Sequence, residues 1–338
     1  MKVSATRVYR TKIIEGLSVP AVIHNGSYFF TDLDIYEDGR VEYWEIEDFE
    51  HFKQKMREGW IVTVIPDGSS ISIHGLGSWP VTAGSWLFNK KSFVSHAESL
   101  IRTLNPRMEN IYTYRKKTLN GIGFVESGKG TVYKENKRGP YDLFPEKING
   151  NSENLFYQTT DGYYLVRLVL YPDHTVCLER LETPIQLSMQ EFESLVSQGI
   201  LLSEIPLHAK VHIYGLGSFV AGEADYSVDI DDKLAEIRDT LRQMSGAPSS
   251  IALCKQAYEA YIADPTAANK TLLQQHYEAV PEHQRMYVGD MDTKDTAVRM
   301  IIYGEDEIKG WSHYQLALHQ GLPLPSIDIP TMKKDDEV

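Results

Sequence analysis

Over residues 31 to 35 the side chains alternate with a period of two: Thr31, Leu33 and Ile35 are separated by Asp32 and Asp34. One wet face and one dry face predict a half-buried strand. Asn25-Gly26 just before it is a hairpin signal, and Asp38-Gly39 just after it makes the next turn. The period then lengthens. Phe49, Phe52 and Met56 recur at i, i+3, i+7, which predicts a short amphipathic helix with Gly59 at its C-terminal end. Residues 60 to 65 read as a strand stopped by Pro66, and residues 70 to 74 as another running into Gly75-Leu76-Gly77-Ser78. Phe93, Ala97, Leu100, Ile101 and Leu104 then mark one face of a longer helix.

The whole pattern returns. Tyr36, Asp38 and Val41 fall on Tyr171, Asp173 and Val176 with an offset of 135, and Phe52, Gly59, Pro66 and Gly75-Leu76-Gly77-Ser78 fall on Phe192, Gly199, Pro206 and Gly215-Leu216-Gly217-Ser218 with an offset of 140. The five-residue difference sits in one loop. Matches in the same order through strands, helix and turns are the mark of an internal duplication. The second copy carries its own local signals. Pro172-Asp173 replaces the Asp-Gly turn, Ser188 and Glu191 form a capping box, and Phe192, Leu195 and Val196 repeat the short helix. Ile230, Leu234, Ile237, Leu241 and Met244 repeat the long one. The expected fold class is therefore α+β: two tandem homologous units, each an antiparallel sheet of about four strands covered by two helices, over residues 1–105 and 156–246.

Between them, residues 106–155 are rich in Gly, Asn and Lys. Ile111-Tyr112-Thr113-Tyr114 and Thr131-Val132-Tyr133 predict a hairpin there, and Lys129, Lys134, Lys137 and Arg138 make it the most basic stretch, read as a solvated loop. From residue 247 the composition changes to that of a smaller, mostly helical domain over 247–325. Ser249-Ser250 caps a helix to Tyr261, and Asp264-Pro265 opens another to Ala279. Val298 to Tyr303 reads as a strand and Asp306 to Gln320 as a helix closed by Gly321. Residues 326–338 are expected to be a disordered tail.

Charge narrows the class of function. A formal net charge of −13 over 338 residues excludes a primary nucleic-acid or anionic-membrane binder, because neutralising phosphates takes a clustered basic surface. The start of the chain, MKVSATRVYRTKII, lacks the apolar run of a secretory signal and no stretch approaches the length of a membrane span, so a cytoplasmic location is expected. The two cysteines, Cys177 and Cys254, are too few for a disulfide framework and read as buried thiols.

Candidate chemistry is sparse. The repeated Gly-Leu-Gly-Ser could face a phosphate, but no helix opens directly after it and the further Gly or Lys of the phosphate fingerprints is missing, so a tight turn is the better reading. His208 and His212 lie four apart in a strand, about 13 Å, too far to share a ligand. Asp290, Asp292 and Asp295 are the residues from which an oxygen-ligand metal site would be built, but Lys294, Asp295 and Ile301 break the calcium-loop pattern, and turn and capping roles are expected instead. The C-terminal segment holds the richest mixture. Arg285, Arg299, Trp311, His313 and Tyr314 are the candidate binding residues, of a kind found at interface hot spots, although Trp311, Tyr314 and Leu318 at i, i+3, i+7 also suit a core. A pairing of His313 with Glu305 or Glu307 is the one acid–base arrangement in reach.

No catalytic residue, metal or cofactor is assigned. The expected function is that of a cytoplasmic protein-binding protein of the bacterial inhibitor or immunity kind, which neutralises a partner such as a basic toxin by direct contact. The alternative is an enzyme or small-ligand binder with its site between the repeated units or under the C-terminal domain.

Overall fold

A computed structural model describes residues 12–129, 134–135 and 150–331. The apolar run around Val8, the expected strand Thr131-Val132-Tyr133, the basic residues Lys137 and Arg138 and the end of the tail lie outside the described residues. The chain divides into two compact units, Met1–Val169 with Thr175–Ser227, and Leu170–His174 with Val228–Val338.

In the first repeat the strands are β1 (Gly16–Asn25), β2 (Ser27–Tyr36), β3 (Arg40–Glu42), β4 (Ile46–Asp48), β5 (Ile61–Val62), β6 (Ser70–Ile73) and β7 (Gly77–Trp86), with helices α1 (Phe49–Glu58) and α2 (Lys90–Leu104). A hairpin follows, β8 (Thr113–Leu119) and β9 (Ile122–Lys129). The second repeat supplies β10 (Asn151–Thr159), β11 (Gly162–Leu170), β12 (Thr175–Glu179), β13 (Ile185–Ser188), α3 (Met189–Ser197), β14 (Leu201–Leu202), β15 (Lys210–Ile213), β16 (Gly217–Ala221), β17 (Tyr226–Ser227) and α4 (Ile230–Met244). Both repeats share one topology. β2 pairs in parallel with β6 at Tyr28↔Ile71 and Phe29↔Ser72, and β11 with β15 at the equivalent Tyr163↔Val211 and Tyr164↔His212. The predicted all-antiparallel sheet of about four strands is thus replaced by a mixed one with more, shorter strands. The chain crosses over through α1 and β5 before returning as β6, and a crossover brings a strand back parallel.

The first-repeat core shows why the alternation was readable. Leu33 and Ile35 of β2 join Ala21, Val41, Phe52, Met56 and Ile61, closed over by Phe93, Ala97 and Ile101 of α2. Burying such side chains contributes about 1.5–3 kcal/mol each. The helix ends follow the sequence signals: Asp48 caps α1, Gly59 ends it at φ 79°, and Ser188 with Glu191 forms the capping box of α3. At the β2–β3 corner Gly39 has φ 81°, and His174, its equivalent, takes φ 64°.

The repeats are joined into one sheet through β7, which runs antiparallel to β16 and β17. Val81 and Ala221, which are 140 apart and so occupy the same position in the two repeats, are direct partners in this ladder. The pseudo-two-fold axis of the duplication therefore passes through that pair. This seam explains the repeated tetrapeptide. A Cβ on Gly77 would stand 2.3 Å from Tyr226 O, and one on Gly217 2.3 Å from Ser85 O, so each glycine admits the backbone of the other repeat. Trp79 meets Phe156 edge-on at 5.2 Å, both side chains fully buried. Cys177 in β12 is buried and free.

The second compact unit is helical: α4, α5 (Ser250–Ala263), α6 (Ala267–Glu278), α7 (Thr296–Tyr303) and α8 (Ser312–Gln320). Cys254, Tyr261, Leu273, Tyr277, Val298 and Ile301 form its core, with Ile329 of the tail packed against it. Three expectations are corrected here. Val298 to Tyr303 is helix rather than strand, because Val298, Ile301 and Ile302 at i, i+3, i+4 bury one helical face, and tertiary packing overrides β-branched propensity. Residues 305–310 form a 3₁₀ turn that stops before α8 begins at Ser312, and Thr266, not Asp264, caps α6.

Candidate protein interface

Hairpin β8–β9 is a two-stranded sheet of its own. Its turn is Asn120-Gly121, at φ 53° and 79°, the pairing that a two-residue hairpin turn with both central residues at positive φ requires. Register places Leu119 opposite Ile122, Lys117 opposite Phe124 and Arg115 opposite Glu126. Since side chains alternate across a strand, these six residues share one face and Tyr114, Lys116 and Thr118 lie on the other.

The second face is the root. Asp48, only 2% exposed, accepts through Oδ1 from His51 N (2.9 Å) and from His51 Nδ1 (2.7 Å), and through Oδ2 from Tyr114 N (2.9 Å). Tyr114 stacks on His51 with ring centroids 4.1 Å apart and planes 3° from parallel. Glu47, equally buried, takes Lys116 Nζ on Oε1 at 3.1 Å, while its Oε2 and the nearby buried Tyr43 hydroxyl have no hydrogen-bond partner among the described residues. Burial alone would raise the Asp48 pKa, but the two backbone N–H donors and His51 outweigh it and hold the carboxyl below its ordinary value. The Tyr43 phenol is pushed up, first by burial and then by the Glu47 charge. Strand β8 is therefore pinned at its base by two buried carboxylates.

The outward face has no such anchor. Leu119 is 64% exposed, Ile122 71% and Phe124 44%, beside Arg115 and the Lys117–Glu126 ion pair (2.5 Å). The hairpin thus carries an apolar tip rimmed by charge on a pre-shaped arm. The β3–β4 corner that carries Glu47 also exposes Trp44 and Ile46, at 52% and 50%.

The candidate residues of the C-terminal segment are placed as follows. Arg285 lies over the Tyr277 ring at 5.2 Å and donates to Val280 O and Glu278 O at the end of α6. Arg299 pairs with Glu307, and the Tyr277 hydroxyl donates to Asp295 Oδ2 (2.5 Å). Trp311 Nε1 donates to Asp292 O (2.9 Å), His313 is exposed with its ring 5.0 Å from that of Trp311, and Tyr314 is half-buried. Arg285 and Arg299 are brought together around Tyr277, whereas His313 and Tyr314 sit out on α8. Asp290 Oδ1 accepts from Asp292 N, Thr293 N and Thr293 Oγ1, an Asx turn that holds its carboxyl low, while Asp295 is spent on Tyr277. Among the described residues no group of three His, Cys, Asp or Glu is placed to hold a metal ion. Sequence reasoning missed the hairpin face, although Asn120-Gly121 between Lys117-x-Leu119 and Ile122-x-Phe124 was the signal for it.

These features define a duplicated α+β protein with a helical C-terminal domain. The family model described as Domain of unknown function (DUF7638) matches residues 4–108 and 140–248, more than half of the chain, and the chain belongs to that family. A second model, Domain of unknown function (DUF7639), matches residues 249–320. No curated protein and no solved structure matches the chain. No helix among the described residues is long and apolar enough to cross a membrane.

Proposed function

We propose that this protein acts by binding another protein, as a cytoplasmic inhibitor of the immunity kind, and that hairpin β8–β9 is the arm that engages the partner. The observation that carries the reading is the outward triplet Leu119, Ile122 and Phe124, exposed on a strand pair whose root is buried and hydrogen-bonded. Covering what these three leave open would contribute roughly 3–5 kcal/mol, taking about 1.5–3 kcal/mol per fully buried side chain scaled by the exposed fraction. Charge acts at two ranges. The net −13 draws in a basic partner such as a toxin, while Arg115 and Lys117 beside the tip ask for acidic groups at the contact itself.

The test is native mass spectrometry of the tagged protein, purified gently from the cells that make it, beside the variant Leu119→Ser/Ile122→Ser/Phe124→Ser. A stoichiometric protein adduct that the triple variant loses, and whose toxicity the wild type suppresses and the variant does not, is the expected result. An adduct that survives the triple substitution, or none on the wild type, would overturn it.

A further inference from the structure

A second surface lies at the seam of the repeats and shares no residue with the hairpin. A cavity of about 520 Å³ is lined by Ser27, Tyr28 and Phe29 at the start of β2, Ser69, Ser70 and Ser72 of the β6 segment, Ser78 of β7, and Asp225 and Tyr226 contributed by the second repeat. Ser78 Oγ donates to Asp225 Oδ2 (2.9 Å), which fixes the floor, and the Tyr226 hydroxyl stands 3.4 Å from Ser72 Oγ across the mouth.

The duplication supplies an internal control. At the equivalent place in the second repeat, Lys210 stands where the first has Ser70, and His212 where it has Ser72. There His212 stacks on Tyr164 at 4.8 Å, and its Nε2 lies 3.3 Å from Asp161 O. In the second repeat the stacked His212 ring stands at the position of Ser72. The first repeat lines this place with hydroxyls.

The lining also says what fits. Among the described residues no Lys, Arg or His lines the cavity, so they offer an anion no counter-charge there, and Asp225 is already engaged by Ser78. What remains is a set of hydroxyls that both donate and accept, next to the rings of Phe29, in register with Ser72, and Tyr226. Hydroxyl-bearing edges and C–H faces are what a neutral sugar presents to such a wall, and the volume falls within the few hundred to 1,000 Å³ (roughly) of small-molecule sites. We propose that this cavity is a binding site for a neutral saccharide, one activity beyond partner binding. A free sugar and the end of a glycan chain share that chemistry.

Saturation-transfer NMR on the full chain with neutral mono- and disaccharides at millimolar concentration probes the first source, and a glycan array the second. The comparison protein is Ser70→Lys/Ser72→His, which grafts the second repeat's residues onto a strand of the same topology, with Tyr226→Ala as an independent variant. Transfer to at least one sugar, or array binding to neutral glycans, weakened about tenfold or more in both variants, is expected. Silence in both assays, or binding that neither variant weakens, would overturn the proposal. Unchanged thermal unfolding of the graft separates filling of the cavity from loss of fold.

Discussion

Asp48 is where the hairpin, the helix cap and the buried charge of the first repeat meet, so its removal has a size that can be worked from its contacts. Asp48→Ala deletes the N-cap of α1, which costs about 0.5–2 kcal/mol. It also strips the partner from the Tyr114 N–H, a residue 8% exposed, for about 1–3 kcal/mol more. Taken together the two ranges centre on roughly 2–4 kcal/mol. For a unit of this size that becomes a fall in Tm of roughly 4–16 °C. Asp48→Asn should lose less, since asparagine caps as well as aspartate but keeps one acceptor oxygen where the site uses two. pH gives the signature. The folded-state pKa lies below the unfolded value of about 3.9, so this contribution is present above that pH and is lost as pH falls through the folded value. Chemical denaturation against pH and hydrogen exchange of the Tyr114 amide are the assays. Faster exchange at Tyr114 with Leu33 and Ile35 unchanged is the expected local result. A variant within about 0.5 kcal/mol of wild type at neutral pH, or with an unaltered Tyr114 amide, would refute the anchoring argument.

Two further outcomes follow. In the second compact unit burial alone would raise the Glu236 pKa, but neighbouring His283 and the fully buried Lys233 (2.6 Å) pull it down to about 2; its stabilisation of roughly 2–3 kcal/mol is therefore held above the unfolded value near 4.3 and lost toward pH 2, and Glu236→Gln should flatten that acid slope in urea titrations. At the seam, Gly77→Ala and Gly217→Ala should each cost roughly 2–5 kcal/mol by forcing a Cβ onto a backbone oxygen, whereas Gly26→Ala, at φ 74° with nothing within 4 Å, should cost only about 1–2; three equal penalties in denaturation would remove the close-approach explanation.

The duplication was legible because it is written in positions that cannot change cheaply. The positive-φ glycines Gly59, Gly75 and Gly77, the strand-ending Pro66 and the apolar side of β2 survive in both copies. The seam was not legible, since Gly77 and Gly217 signal only that a turn needs glycine, and nothing local says that the other repeat's strand lies against it. The strand β8, TYRKKTL, gave no alternating signal because one face meets two carboxylates and the other meets solvent. The described return strand, Ile122–Lys129, was missed for the same reason. In α7 the β-branched run Val298, Ile301, Ile302 outweighed a helical spacing that was present in the same residues. The candidate residues were sought where aromatics and charges were densest, and Arg285, Arg299 and Trp311 turn out to hold α6, the 3₁₀ turn and the Asp290 loop in place.

What the two repeats share and where they differ separates structure from use. Near a two-fold axis an ancestral pair of identical chains would place each residue close to its own copy. At Val81 and Ala221 that costs nothing, and the pairing is kept. At Asp32 and Arg167, also equivalent, it would set like charges together, and the fused chain has opposite ones 3.5 Å apart, with Arg180 completing the group by donating to Asp32 Oδ2 (2.6 Å) and Asn154 Oδ1 (2.9 Å). Fusion thus let the copies become complementary where identity was unfavourable. The same freedom applies at the surface, where no pairing enforces likeness. Ser72 against His212 puts a hydroxyl on the wall of the first-repeat cavity where the second repeat has an imidazole, and buried Glu47 and Asp48, whose equivalents in register are Leu187 and Ser188, root a hairpin on the first repeat. The asymmetric features cluster on the first repeat and at its border with the second.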